Sequence, residues 1–352
     1  MNFAAGDYVA IYESTSGDVL PGQPVQLSAV NTSTGQLTLA DPVLRSFSAP
    51  SLSKVTSLAA HDVAVNGIIV QGAEPLAVTE TFNFSASNNQ FLSDTSVGGG
   101  NLYELQLNTV EHFNFTGNTF ATINGPYIHQ ELGQRDSQNG VWTENTFEDT
   151  TVGFGEYAGN ITMQNNHIYL HPDGSGPDGV SLGGMNVLFT GNDVHTIGNQ
   201  TGYPGSGFIV TDVYGCCGYT AYTGNIQITN NTIQCVADGN NCLLLVGKRT
   251  VVSGNTITAT GSATGINVSY SSATVTNNTI NIGSGTGIYV LQHSLVDAAT
   301  VASNTLSGTG RFGIYARTPA RVGGGGDDIY NNTITGFATP LYAPGAGANR
   351  GR

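Results

Sequence analysis

The chain has 352 residues, of which 48 are glycine and 10% are charged, and its formal net charge at pH 7 is −14. This composition favours short strands and tight turns over helices, because glycine, threonine and asparagine are weak helix formers. The negative charge excludes nucleic acid and anionic membranes as partners, since both require clustered cations. It also disfavours an unassisted polyanionic substrate. The sequence contains no run of 18 apolar residues, so we expect no membrane-spanning segment.

The first residues and the cysteines bear on the cellular compartment. Residues 1–9 read as the start of a strand with no basic segment before it, so we expect a mature form, a fragment or a cytoplasmic product. The four cysteines, Cys216, Cys217, Cys235 and Cys242, lie within 27 residues of one another. They permit two disulfide bridges and an oxidising compartment, although buried free thiols fit the count equally well. Their spacing excludes a zinc site built on paired CxxC motifs.

The main signal is a repeated asparagine that is followed two residues later by an apolar residue. Eleven copies occur, at Asn66, Asn89, Asn118, Asn145, Asn166, Asn192, Asn231, Asn255, Asn278, Asn304 and Asn332. Alternating apolar residues before the asparagine, such as Ile226 and Ile228, predict a strand with one buried face. The asparagine then falls at a tight turn, where we expect it to adopt left-handed backbone geometry. Equivalent asparagines on stacked coils should form a hydrogen-bonded ladder.

A second strand follows with the pattern Gly-apolar-x-apolar, as in Gly265-Ile266-Asn267-Val268. Repetition of this unit predicts an all-β solenoid of about eleven coils. The pattern resembles the pectate-lyase-like superfamily of right-handed parallel β-helix proteins over about residues 60–345. The resemblance implies the fold but not the chemistry, because that superfamily includes hydrolases, lyases, epimerases and non-catalytic fibres. We expect a β-rich N-terminal cap at residues 1–60, the β-helix at 61–345 and a flexible tail at 346–352.

Four long segments interrupt the middle coils, at residues 129–140, 171–179, 195–207 and 211–224. Insertions in a solenoid form loops on one face, so we expect these segments to wall a cleft. Residues 129–225 also hold ten of the 24 acidic residues and four of the seven histidines. Solvation of long loops would explain the acids alone, whereas the coincidence of loops and histidines favours a binding site.

Alignment of the second strands places four candidate catalytic residues beside the same strand on successive coils: His129, Glu156, Asp178 and Asp212. Carboxylates about 5–10 Å apart suit glycoside hydrolysis, in which one acid protonates the leaving oxygen and another activates water. We expect substrate contacts from Glu131, Arg135, His171, Asp173, His195 and Tyr214. His167 reads as a turn residue, and Asp193 as a structural residue in the threonine position of the repeat.

These features predict an extracellular carbohydrate-active enzyme, with a glycoside hydrolase that cleaves a polysaccharide or oligosaccharide as the first hypothesis. The alternative is a polysaccharide lyase, with Arg135 or Lys248-Arg249 as the base, or a uronate epimerase, with a set formed by Tyr127, His129 and Asp178. A non-catalytic tail fibre or adhesin is a third hypothesis. No cofactor is required under any of them, although the clustered acids could bind Ca²⁺. We expect a monomer or a homotrimer.

Overall fold

The computed structural model of the chain describes residues 3–13, 23–42, 53–57, 60–94, 96, 105–123, 130–135, 137–154, 158–170, 180–196, 207–210, 224–236, 241–246, 249–269, 272–291, 298–317 and 328–343. Within these ranges the chain consists of strands and the turns between them, with no helix. The described residues accordingly contain no helix that could cross a membrane.

The first strands form an antiparallel cap sheet in the order β3-β2-β1-β4. Its strands are β1 (Tyr8–Glu13), β2 (Gln23–Asn31), β3 (Gln36–Leu39) and β4 (Ser53–Ser57). Val9, Ile11, Val25 and Leu27 give this sheet a small apolar core of its own. The cap sheet ends at Ser57, and the first strand of the solenoid begins at Ala60.

The remaining strands stack in parallel, coil on coil, in three rows. Sheet A contains eleven of them: β6 (Ile69–Gly72), β8 (Gln90–Asp94), β10 (Thr119–Ile123), β13 (Thr146–Glu148), β16 (His167–Leu170), β19 (Asp193–Thr196), β22 (Thr232–Val236), β25 (Thr256–Thr260), β28 (Thr279–Ile282), β31 (Thr305–Gly308) and β34 (Thr333–Thr335). Each of the later coils contributes one strand to sheet A and then one to each of two further rows. The predicted parallel β-helix is confirmed.

The two further rows, column C and column B, are joined at the N-terminal end by the long strands β7 and β9 (Leu76–Ser87 and Leu105–Thr116). Column B begins with β5 (Ala60–Asn66), β7 and β9 and continues through β12 (Gln138–Thr143), β15 (Gly159–Gln164), β18 (Met185–Thr190), β21 (Gln227–Thr229), β24 (Val251–Ser253), β27 (Thr274–Thr276), β30 (Thr300–Ala302) and β33 (Asp328–Tyr330). Column C comprises β11 (Gln130–Arg135), β14 (Thr150–Phe154), β17 (Val180–Leu182), β20 (Gly207–Val210), β23 (Asn241–Leu245), β26 (Thr264–Ser269), β29 (Ile288–Leu291), β32 (Phe312–Arg317) and β35 (Thr339–Tyr342).

Stacked side chains fill the interior of the coils. Phe91, Phe120 and Phe147 of sheet A stack face to face, with ring centroids 5.2 and 5.1 Å apart. Beside them, Phe115 and Trp142 of column B stack at 4.0 Å. All five are fully buried. Parallel register places equivalent residues directly above one another at about 4.8 Å, which is close to the distance that aromatic stacking favours.

The predicted asparagine ladder is confirmed at ten positions: Asn89, Asn118, Asn145, Asn166, Asn192, Asn231, Asn255, Asn278, Asn304 and Asn332. The Nδ2 of each asparagine donates to the Oδ1 of the next at 2.9–3.1 Å. The first nine asparagines are buried. A buried polar group that loses its hydrogen-bond partner is destabilising by its full desolvation free energy. A shift in register would break these bonds, so the ladder holds successive coils in one register.

Two details of the ladder prediction are wrong. Asn66 does not belong to the ladder, because Ile68 occupies the equivalent position and donates its backbone N–H to Oδ1 of Asn89. The ladder asparagines also do not adopt left-handed geometry. The residue before each of them does, as Asn277 does with a φ of 57° before Asn278. Asparagine and glycine fill these preceding positions in most coils because both tolerate a positive φ.

A second row of residues with left-handed backbone geometry runs along the start of column B. It contains Asp62, Asn83, His112, Asn139, Asn160, Asn186, Asn225 and Arg249, each six residues before a ladder position. Side chains in this row also bond from coil to coil, as Asn186 Nδ2 does to Asn160 Oδ1 at 2.9 Å. At the first position, hydrogen bonds from Asn83 and then from His61 hold the pKa of Asp62 below its ordinary value.

Candidate functional site

Most of the predicted site residues lie outside the described residues. These are His129, Glu156, His171, Asp173, Asp178, Asp212 and Tyr214. Glu131 and Arg135 belong to strand β11, but their side chains also lie outside the described part of the chain. His195 is the predicted site residue whose side chain the structure describes.

Within the segment 129–140, predicted to be a loop insertion, residues 130–135 instead form β11, and Gln138 begins β12. Leu132 of β11 pairs in register with Leu105 of β9 on one side and with Val152 of β14 on the other. A single apolar residue among polar ones gives a weak strand pattern, whereas backbone pairing on both sides stabilises the strand in the stack. Residues 171–179 separate β16 from β17 in the chain, and residues 197–206 separate β19 from β20; both segments lie outside the described residues. The prediction that an insertion starts at His195 is wrong, because His195 belongs to β19.

The register of column C divides the four predicted catalytic positions into two groups. One level of the stack is shared by Leu132, Val152, Val180 and Ile209. In the chain, His129 and Asp178 precede β11 and β17, whereas Glu156 and Asp212 follow β14 and β20. These four residues lie outside the described ranges, so their roles stay predictions.

Four polar side chains meet on the outward face of sheet A in the middle coils. They are His167, Tyr169, Asp193 and His195, and we call them the β16–β19 cluster. His195 Nε2 donates to the Asp193 carboxylate at 2.8 Å, and His167 Nδ1 lies 3.6 Å from the other carboxylate oxygen. The rings of Tyr169 and His195 are 5.3 Å apart. The His195 side chain is 26% exposed and that of His167 is 53% exposed, so the cluster is open to solvent.

Strand alternation and parallel register together assemble this cluster. The apolar residues of β16 and β19 face the core, so the polar residues that alternate with them face outward. Register then sets His167 beside Asp193 and Tyr169 beside His195 on adjacent coils. The contacts of His167 with Asp193 and of Tyr169 with His195 therefore join residues 26 positions apart in the chain, whereas His195 and Asp193 are two residues apart in β19.

His167 and Asp193 were not among the predicted site residues. The position directly after the ladder asparagine is threonine in seven coils, at Thr119, Thr146, Thr232, Thr256, Thr279, Thr305 and Thr333. His167 and Asp193 replace that threonine in two consecutive coils. This departure from the repeat is the sequence feature that could have indicated a functional site. The prediction that His167 is a turn residue is wrong, since His167 begins β16 and pairs with strands on both sides.

The chemistry of the cluster is that of proton transfer. Because His195 donates through Nε2, its neutral imidazole carries the free lone pair on Nδ1. A carboxylate that holds the ring in this way fixes both its tautomer and its orientation. Imidazole and phenol groups are general acids and bases, and both are present within one coil spacing.

Three similarities to known proteins bear on this chain. Residues 178–343 match the family model described as "Periplasmic copper-binding protein (NosD)", a match that spans less than half of the chain. Two solved structures from Azotobacter vinelandii, the A-modules of mannuronan C-5 epimerases AlgE4 and AlgE6, share 13% and 14% identity with TM-scores of 0.34 and 0.29. Each similarity covers 74% of this chain, and 89% and 88% of the respective module. No curated protein matches the chain significantly. The expected resemblance to parallel β-helix proteins is confirmed at the level of fold.

Copper ligands are not assembled in the described part of the matched segment. Within it, no three His, Cys, Asp or Glu side chains lie close enough to share an ion. Cys235 and Cys242 form a disulfide with their Cα atoms 5.8 Å apart, which removes two thiolate ligands. The bridged alternative is thus confirmed for this pair, while Cys216 and Cys217 lie outside the described residues.

Proposed function

We propose that this protein is a carbohydrate-active enzyme whose proton-transfer group is His195 in the β16–β19 cluster. The observation that carries the proposal is the 2.8 Å hydrogen bond between His195 and Asp193 on an open face of the solenoid. Outward-facing residues repeat about every 4.8 Å along the stacked strands, so an extended polymer can lie along this face and contact several coils. A polysaccharide or an oligosaccharide fits such a surface.

Proton abstraction beside a carboxyl group fits the cluster better than hydrolysis does. Glycoside hydrolysis requires two carboxyl groups about 5–10 Å apart. Asp193 shares its face with Glu148, and strand and residue spacings set these two acids about 12 Å apart. The cluster instead combines one carboxylate with two imidazoles and a phenol, which are groups that remove and deliver protons.

In the proposed reaction, neutral His195 takes the C5 proton of a uronate residue, and the electron pair left at C5 is delocalised into the carboxyl group. Tyr169 then donates a proton. Protonation of the departing glycosidic oxygen completes an elimination, whereas protonation of the opposite face of C5 completes an epimerisation. Both reactions begin with the same step, so the substrate is a uronate polysaccharide in either case.

The net charge of −14 opposes the binding of such a polyanion. Salt screens this repulsion, because the Debye length falls from about 30 Å at 0.01 M to about 8 Å at 0.15 M ionic strength. We therefore expect the rate at low substrate concentration to rise over this range. Ca²⁺ would act in the same direction by neutralising the uronate carboxylates, without being a required cofactor.

The test uses a panel of neutral and uronate polysaccharides in D₂O, with three readouts on each. Absorbance near 235 nm reports elimination, deuterium at C5 reports epimerisation, and new reducing ends without absorbance report hydrolysis. His195→Ala and Asp193→Asn should each lower the rate by about 10²–10⁴, and Tyr169→Phe should slow proton delivery. Gln234→Ala is the matched control, since Gln234 is in register with His195 on the next coil.

The proposal would give way to the glycoside hydrolase hypothesis if the protein hydrolyses a neutral polymer under one condition. That activity must be lost in Asp178→Asn or Asp212→Asn and retained in His195→Ala. Full activity in both His195→Ala and Asp193→Asn would place the chemistry on another face. The absence of all three signals across the panel would favour the non-catalytic fibre or adhesin.

The proposed enzyme is an exported protein that works outside the cytoplasm. The disulfide between Cys235 and Cys242 supports this part of the proposal, because structural disulfides persist in oxidising compartments. Sedimentation of the purified protein distinguishes the monomer from the homotrimer.

A further inference from the structure

The joint between the cap sheet and the solenoid carries a second group of polar side chains, far from the β16–β19 cluster in the stack. An aromatic row crosses this joint: Tyr8 of the cap stacks on His61 at 4.4 Å and packs against Phe82 at 4.7 Å. Phe82 in turn packs against His112 at 5.0 Å. The ring in contact with the His112 imidazole is that of Phe82, which fixes the position of the imidazole at the cap boundary.

Two consecutive residues of β9 direct their side chains to this joint. Neighbours in a strand ordinarily point to opposite faces, but His112 has a φ of 54° and interrupts that alternation. As a result, Oε1 of Glu111 lies 3.8 Å from Nε2 of His112. Asp41, which follows the cap strand β3, approaches from the other side, with its Oδ2 2.7 Å from the same nitrogen.

Burial and charge distinguish this group from an ordinary surface ion pair. The Glu111 side chain is 1% exposed, whereas Asp41 and His112 are about one third exposed. A buried carboxylate requires compensation, and a second carboxylate nearby adds to that requirement. Asn139 Nδ2 donates to Glu111 Oε1 and orients the carboxylate. One imidazole shared by two carboxylates supplies at most one positive charge, so a divalent cation balances the group better.

We propose that Asp41, Glu111 and His112 form a binding site for a divalent transition metal, with Zn²⁺ as the ion that fits best. The three ligand atoms lie within 4.8 Å of one another. Tetrahedral Zn²⁺ with bonds of about 2.0–2.1 Å needs ligand atoms about 3.3 Å apart. The observed separations of 2.7 and 3.8 Å bracket that value, so small side-chain rotations admit the ion.

The donor set and the surroundings define the site further. One nitrogen and two carboxylates match Zn²⁺, whereas Ca²⁺ takes six to eight oxygen ligands. A groove of about 510 Å³ opens beside His112 and is also lined by Asp62, Asn83, Asn114 and Asn139. This groove gives water access to a fourth coordination position. Because Asp41 belongs to the cap and Glu111 to the solenoid, the ion would bind the two parts to each other.

The test is a calorimetric titration of the metal-free full chain with Zn²⁺, together with thermal melts. We expect saturable 1:1 binding, and a rise in Tm of about 3–4 °C at a free Zn²⁺ concentration 100 times the Kd. Asp41→Asn keeps the side-chain volume and should weaken binding at least about 10-fold. His61→Ala is the matched control, since His61 lies on the same joint and belongs to no ligand set, and it should bind Zn²⁺ as the wild type does.

Equal Zn²⁺ affinity in the wild type and in Asp41→Asn would overturn the proposal, as would the absence of saturable binding to the wild type. Tighter binding of Ca²⁺ than of Zn²⁺ would also overturn it. Glu111→Gln provides a second check where the variant folds, because it removes a buried charge and should also weaken binding. None of these readouts depends on enzymatic activity.

Discussion

Replacement of one ladder asparagine tests the interaction that holds the coils in register. Asn278 is 1% exposed and makes four side-chain hydrogen bonds. Its Oδ1 accepts from the backbone N–H and from Nδ2 of Asn255, and its Nδ2 donates to Oδ1 of Asn304 and to the Val252 carbonyl. Asn278→Leu retains a side chain of similar size and removes all four bonds.

The magnitude follows from the groups that are left without these bonds. Asn255 Nδ2 retains the Ile228 carbonyl, and Asn304 Oδ1 retains the backbone N–H of residue 278. The backbone N–H of Asn255 and the Val252 carbonyl lose a partner that the leucine cannot replace. At about 1–3 kcal/mol for each of these two buried groups, the free energy of unfolding should fall by about 2–6 kcal/mol. An unfolding entropy of about 2.1 cal/mol/K per residue over 352 residues converts this loss into a drop in Tm of about 3–8 °C.

Calorimetry and circular dichroism of the two variants Asn278→Leu and Asn281→Leu measure this effect. Asn281 lies on the same coil in β28, but it is exposed on the outer face, so Asn281→Leu should change Tm by less than about 1 °C. Asn332→Leu, at the partly exposed end of the ladder, should fall between the two. Equal melting temperatures for Asn278→Leu and the wild type would refute the argument that the buried ladder stabilises the stack.

Two further predictions concern packing and the disulfide. Gly140→Ala should lower Tm by several degrees, because an added Cβ would lie 1.9 Å from Cζ of the buried Phe113 ring and force the core to shift. An unchanged Tm would show that the ring moves freely. Removal of the bridge between Cys235 and Cys242 by a double alanine substitution should cost about 2–3 kcal/mol by loop-closure entropy. Thiol titration of the denatured, unreduced wild type should find at most two free thiols, and four would contradict the bridge.

The alternation of apolar residues and the asparagine repeat were readable from the sequence because they are local. Alternation along a strand and the recurrence of asparagine at each turn depend on residues a few positions apart, and the solenoid repeats the same local solution in every coil. Asn66 was misplaced because a shift of two residues preserves the alternation of inward and outward side chains. Where two asparagines are adjacent, as at Asn277 and Asn278, the sequence also does not say which one adopts the left-handed geometry.

The candidate sites were decided by tertiary structure. His195 was predicted as a substrate contact, and its hydrogen bond to Asp193 is local, since the two residues lie two positions apart in β19. The approach of His167 to Asp193 and of Tyr169 to His195, in contrast, depends on coil-to-coil register across 26 residues. The lengths of the middle-coil connections set which residues face each other, and no local pattern encodes that pairing. Asp41 and His112 are 71 residues apart and meet because the cap sheet docks on the first coils. The sequence by itself determined the repeating core, because each coil buries the same pattern, whereas the polar clusters on its surface arise where that repeat is broken and separate segments are brought together.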